Sequence, residues 1–89
     1  MTINTIDLHN TKLYNAQMEI CESLFEAHCL GHDGLSMIHG YRNGQAIRNY
    51  IRNPKRLLKD VRKMYPEMPE IELDLLSKAK TRARFVKET

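Results

Sequence analysis

Met37-Ile38-His39-Gly40-Tyr41-Arg42-Asn43-Gly44 is the stretch on which the fold turns: a short apolar run ends in a histidine and breaks into a turn bracketed by two glycines. Gln45 to Arg52, directly after it, carries a helical pattern, so the turn is expected to join a strand to a helix. Such a junction aims backbone N–H groups and the positive end of the helix dipole into one small space, which suits a phosphate. Gly40, Arg42, Asn43 and Gly44 are the expected phosphate-binding residues, with Ser36 or His39 beside them, because an arginine fork grips phosphate better than a lysine does. The competing reading is a plain turn that uses glycine where φ is positive.

Working outward toward the N-terminus, Thr2 to His9 alternates, with Ile6 and Leu8 on one side and Thr5, Asp7 and His9 on the other, the period of a half-buried strand. Asn10 and Thr11 are good N-cap types. From Lys12 to about Leu30 a helical stripe follows, made of Leu13, Ala16, Ile20, Leu24 and Ala27 and widened by Met18, Cys21 and Phe25. Gly31 to Gly34 supplies a stop, and Leu35 to His39 is apolar enough for a buried strand. Strand, helix and strand make a βαβ unit, so these two strands are expected to run parallel with a right-handed crossover.

On the other side of the turn, the helical pattern runs from near Asn43 through Ala46, Ile47, Tyr50 and Ile51 to Asn53-Pro54. Pro54 then opens a further helix or a kinked continuation carrying Leu57, Leu58, Val61 and Met64, which Pro66 and Pro69 end. Ile71, Leu73 and Leu75 alternate with Glu72 and Asp74; Thr81, Ala83 and Phe85 alternate with Lys80, Arg82 and Arg84. These runs predict a hairpin, with Arg82 and Arg84 paired to Glu72 and Asp74 across it rather than committed to nucleic acid.

The 89 residues, 42% hydrophobic and 28% charged, suit one small domain spanning 1–89. The chain reads as cytoplasmic, with no secretion signal and no membrane partner; it specifies no oligomeric state. Cys21 and Cys29 fall in one helix, eight residues and hence about 12 Å apart, too far for a bridge to each other. His28, Cys29 and His32 lack the second ligand pair of a structural zinc site, so no metal is assigned there. The net charge of +3 is unevenly spread. Residues 1–38 hold one cation against five anions, whereas residues 39–66 hold eight cations against Asp60 alone. A basic helical region leading away from a phosphate-type turn is the footprint of a nucleic-acid binder. Arg48, Arg52, Lys55, Arg56 and Lys59 are the expected backbone contacts. Tyr41 is the better candidate to stack on a base, since Tyr50 lies in its helix's apolar pattern.

The element order is therefore β-α-β-α-β-β. If the two parallel strands are neighbours, Asp7, His9 and His39 reach one edge beside the Gly40 to Gly44 turn, where ligands of α/β sheets bind. Asp7-Leu8-His9 at a strand end before a helix, with Leu13 and Ala16 early in that helix, resembles the first motif of the Smr (small MutS-related) domain family. Ile38-His39-Gly40-Tyr41-Arg42-Asn43-Gly44 before Ala46-Ile47-Arg48 is similar to its second. The resemblance implies an α/β, βαβαββ two-layer sandwich, a mixed four-stranded sheet with helices packed on it, similar to the C-terminal domain of translation initiation factor three. It also implies a domain that binds or nicks RNA or DNA. Asn10 stands where the family usually has glycine, Arg42 replaces a middle loop glycine, and Ser77-Lys78-Ala79-Lys80-Thr81 lacks the family's glycines while keeping a matching threonine.

The chemistry these residues permit is phosphodiester hydrolysis. A carboxylate beside an imidazole orients its tautomer and raises its basicity, so Asp7 is expected to support His9 or His39 as general base, with the other histidine or Arg42 stabilising developing charge. Asp7 could instead ligate a divalent cation such as magnesium, although one carboxylate with two histidines is a thin site for it. The alternative function is a non-catalytic nucleic-acid-binding or ribosome-associated module that uses the same pocket.

Overall fold

The computed structural model describes residues 2–40 and 45–86. Its elements are β1 (Ile3–Asp7), α1 (Leu13–Cys29), β2 (Gly34–Ile38), α2 (Gln45–Ile51), α3 (Pro54–Met64), β3 (Ile71–Asp74) and β4 (Lys80–Phe85). Tyr41, Arg42, Asn43 and Gly44, on which most of the phosphate-binding and stacking expectations fall, lie outside the described residues.

The four strands form one sheet in the order β1-β2-β4-β3. β1 and β2 are parallel, as the βαβ pattern requires, with Ile6 opposite Met37 and Asp7 opposite Ile38. β4 enters antiparallel between β2 and β3, setting Met37 opposite Thr81 and Leu73 opposite Ala83. Since partners in register share a face, Ile6, Leu35, Met37, Thr81, Ala83, Phe85, Leu73 and Ile71 line one side of the sheet. The helices meet that side in a single core containing Ala16, Ile20, Leu24, Ala27, Ile47, Tyr50, Ile51, Leu57 and Val61. Full burial of residues such as Ile20 and Leu24 contributes about 1.5–3 kcal/mol each.

Local signals explain most element ends. Gly31 at φ +76° follows the end of α1, and Pro54 is the first residue of α3, where its missing N–H costs nothing. Asn53 caps α3 by accepting from the Arg56 N–H at 3.3 Å. Gly34 answers a packing demand: a Cβ there would run into the Ala83 carbonyl oxygen and stand 3.0 Å from Arg84 Cα on the neighbouring strand.

Several sequence expectations are corrected. Neither Asn10 nor Thr11 caps α1; Lys12 holds the cap position, without a side-chain cap bond. Met18 and Met64 are exposed rather than part of the core, because the sheet is too narrow to cover both flanks of the helical stripes. Phe25 is also on the margin, stacked on Tyr65 with ring centroids 3.7 Å apart. Leu75 lies beyond the last residue of β3 and is exposed. Cys21 is buried, Cys29 is exposed, and both are free thiols.

Candidate nucleic-acid site

Beyond the carboxyl end of β1 the chain turns tightly at His9 and Asn10. Asp7 Oδ1 accepts from the His9 backbone N–H at 3.0 Å and from His9 Nδ1–H at 2.5 Å. The carboxylate thus both closes the turn and holds the ring. These hydrogen bonds, the side-chain one foremost, keep the Asp7 carboxyl below the usual carboxylate range. With Nδ1 committed as donor, His9 Nε2 carries the lone pair, and Asn10 Nδ2–H donates to it at 2.9 Å. Both partners of the Asp7–His9 pair are 54% exposed. His9, Asn10, Thr11, Lys12 and Leu13 face Ala46 and Ile47 of α2 across a cleft of about 300 Å³.

The end of β2 closes this site from behind. Leu8 N–H donates to the Ile38 carbonyl at 2.7 Å, so the two strand ends stay joined up to the turn. Gly40 adopts φ +85°, and a Cβ on it would stand 3.1 Å from His9 Cβ. The close approach of these two residues therefore favours glycine at this position on both counts.

His39 is placed otherwise than expected. Its backbone reaches the predicted edge, but its side chain is fully buried on the helical side of the sheet, away from Asp7. The register gives the reason: Asp7 pairs with Ile38, so Asp7 shares the face of Ile38, and His39, one residue on, takes the other. There His39 Nδ1–H donates to the Gly40 carbonyl at 3.1 Å, and Nε2 lies 3.1 Å from Thr81 Oγ1. Burial, above all, lowers its pKa, with Arg52 and Arg48 adding to the effect against the Gly40 carbonyl.

The predicted cations divide into two groups. Arg52 is bound on two sides, Nε–H to Thr81 Oγ1 at 3.1 Å and Nη2–H to the Ser77 carbonyl at 2.7 Å. Arg62 is likewise spent on the Met68 carbonyl at 3.0 Å. Lys55, Arg56 and Lys59 are exposed on α3 and, with Asn53, Asp60 and Lys63, border a shallow depression of about 540 Å³; Arg48 is half-buried on α2. Arg56 also lies over the Tyr50 ring, 5.3 Å from its centroid. Tyr50 itself is in the core, 3% exposed, and donates its hydroxyl to Asp60 at 2.8 Å; burial first and that hydrogen bond second raise its pKa. Arg82 and Arg84 pair with Asp74 at 2.9 and 2.6 Å, and Arg84 with Glu72 at 3.1 Å, as the opposite charges of the hairpin predicted.

Among the described residues no set of side chains forms a cage for a divalent cation. Asp7 is committed to His9, His39 is turned into the core, and among the described residues no three His, Cys, Asp or Glu side chains converge on a point. His28, Cys29 and His32 do not form such a group either; His28 sits edge-on to Phe85 instead.

No protein-family model and no curated protein matches the chain. Among solved structures, the Smr domain of MutS2 from Thermus thermophilus superposes with a TM-score of 0.62 at 23% identity, covering 94% of this chain and 99% of that one. The molecule therefore has the Smr-domain fold, a two-layer α/β sandwich on a mixed four-stranded sheet. The strand ends that carry the Smr-like motifs are those that meet at Asp7, His9 and Gly40.

Proposed function

We propose that this chain is a cytoplasmic nucleic-acid-binding module that cleaves phosphodiester bonds at the Asp7–His9 pair. The observation that carries the reading is that pair itself: an exposed imidazole whose Nδ1 is held by a carboxylate, at the edge of a cleft bordered by α2. The exposed cations Lys55, Arg56 and Lys59 supply sequence-independent attraction for the phosphate backbone.

In the reaction, Asn10 swings off His9 Nε2, which then takes the proton of the attacking hydroxyl. Asp7 holds the ring and stabilises the imidazolium that forms. RNA is the simpler substrate, because its 2′-hydroxyl is a nucleophile already in place: the O2′–P bond forms, the O5′–P bond breaks, and the leaving oxygen takes a proton from solvent.

A second reading, a non-catalytic nucleic-acid or ribosome-associated module, is favoured by one observation, the Asn10 amide that occupies the only basic nitrogen of His9. Incubation with labelled single-stranded RNA, duplex DNA and supercoiled plasmid, with and without a chelator, decides between them. Chelator-resistant cutting of RNA supports the nuclease. Binding without cutting of any substrate supports the second reading.

A further inference from the structure

The polar chain behind Gly40 is unusual for a core. Thr81 is fully buried at the start of β4, and its hydroxyl meets both His39 Nε2 and Arg52 Nε. With His39 neutral, the form its burial favours, the hydrogen-bond partners leave one arrangement. A guanidinium has no acceptor and a carbonyl no donor. Arg52 Nε–H must therefore donate to Thr81 Oγ1, and His39 Nδ1–H must donate to the Gly40 carbonyl. His39 Nε2 is then a bare acceptor, and the Thr81 hydroxyl proton completes the line by pointing at it. Every buried group in the line is satisfied, and the line runs from the end of α2 to the residue that touches His9.

From this we infer that Arg52 is a positioning residue for the site: through Thr81 it holds His39 as the Nδ1–H tautomer and so fixes the Gly40 peptide against which His9 rests. The inference deepens the nuclease reading and rests on it only for its kinetic consequence. A lysine at 52 keeps the charge but cannot reach the Thr81 hydroxyl and the Ser77 carbonyl with the same planar fork. With Arg52 replaced by lysine, the Thr81 hydroxyl loses the charged donor that fixes its oxygen and polarises its proton toward Nε2, so the His39 ring is no longer held to the Gly40 carbonyl and can place its proton on Nε2 instead.

The test reads the tautomer directly. Long-range ¹H–¹⁵N correlation spectra of the histidine rings should find His39 as a single Nδ1–H form in the wild type, and a mixture with the Nε2–H form in Arg52→Lys. Thr81→Ser, which keeps the hydroxyl, should retain the wild-type spectrum, and Thr81→Val should lose it. Should Thr81→Val fail to fold, Arg52→Lys and Thr81→Ser still carry the comparison. In cleavage, Arg52→Lys should lower kcat on the order of 10- to 100-fold with little change in KM, the signature of a misplaced rather than missing contact. A His39 tautomer that is unaffected by Arg52→Lys, or is Nε2–H in the wild type, overturns the inference. Absence of cleavage by the wild type with the tautomer shift intact overturns the nuclease reading alone.

Discussion

Asp7 ends β1 and His39 directly follows the last residue of its parallel neighbour β2, yet their side chains leave the sheet on opposite faces, Asp7 into solvent and His39 into the core. The two motif histidines consequently stand in different surroundings. The His9 side chain is 54% exposed, and His39 is fully buried.

That division predicts how stability follows pH. His39 is held neutral in the fold, its pKa lowered from the ordinary 6.5 chiefly by burial. Below that value the unfolded chain binds more protons than the folded one, so the contribution is complete above pH 6.5 and declines as pH falls toward the depressed folded value. Urea unfolding at about pH 7.5 and about pH 5.5 should register this loss in the wild type. In His39→Gln the loss should be smaller. An identical pH dependence in both proteins would place the acid sensitivity elsewhere.

The salt dependence of nucleic-acid binding sorts the cations. Replacing Lys55, Arg56 and Lys59 together with glutamine should flatten the slope of log K against log salt by about 2 to 3 units. Replacing Arg82 and Arg84, which are paired with Asp74 and Glu72, should leave the slope nearly unchanged. Filter binding or fluorescence anisotropy over a salt series measures both. A large effect from the hairpin pair and none from α3 would move the interface to the open face of the sheet.

Much of this was legible in the sequence, and the reasons are local. Alternation in Thr2 to His9 and in residues 80–85, the apolar stripe of α1, Pro54 after Asn53, and opposite charges on the two hairpin strands each report a short-range constraint, and each is present in the structure. The parallel pairing of β1 with β2 followed from the helix between them. What could not be read was depth. A helical stripe does not say where the sheet ends, so Met18 and Met64 lie on the apolar stripes yet stand exposed, and a cation run does not say which members will find carbonyls, as Arg52 and Arg62 do. The burial of His39 was accessible in principle. Alternation along β2 places it with Leu35 and Met37, a signal outweighed by its position next to the glycine turn.

The close contact of the central strands gives a stability prediction that involves no ligand. Gly34→Ala pushes a methyl into the backbone of β4, which cannot yield without moving the sheet, so the cost should be about 3 kcal/mol or more. Gly31→Ala meets nothing within 4 Å and bears only the left-handed backbone penalty, about 1 kcal/mol. The difference in urea midpoint between the two variants tests the strand spacing, and equal costs would contradict it.

The site itself predicts that binding and chemistry separate on mutation. Asp7 and His9 sit at the end of β1, whereas the exposed cations that attract phosphate belong mainly to α3. Asp7→Ala and His9→Ala should therefore reduce cleavage on the order of 10² to 10⁴-fold, the loss expected for a positioned acid–base group, while changing affinity little. Asn10→Gly adds a test of opposite sign. Asn10 Nδ2–H occupies His9 Nε2 in the free protein, so its removal exposes the basic nitrogen and should raise the cleavage rate without altering the salt slope. Asp7→Asn should behave like the alanine variant in activity although it keeps the shape of the turn, because an amide can no longer stabilise the imidazolium. Rates measured on one labelled RNA for all four variants are sufficient. If Asn10→Gly is slower than wild type, the asparagine positions His9 for the reaction instead of restraining it. If the Asp7 and His9 variants cut as well as wild type, the pair is not the catalytic group and the binding-module reading takes its place.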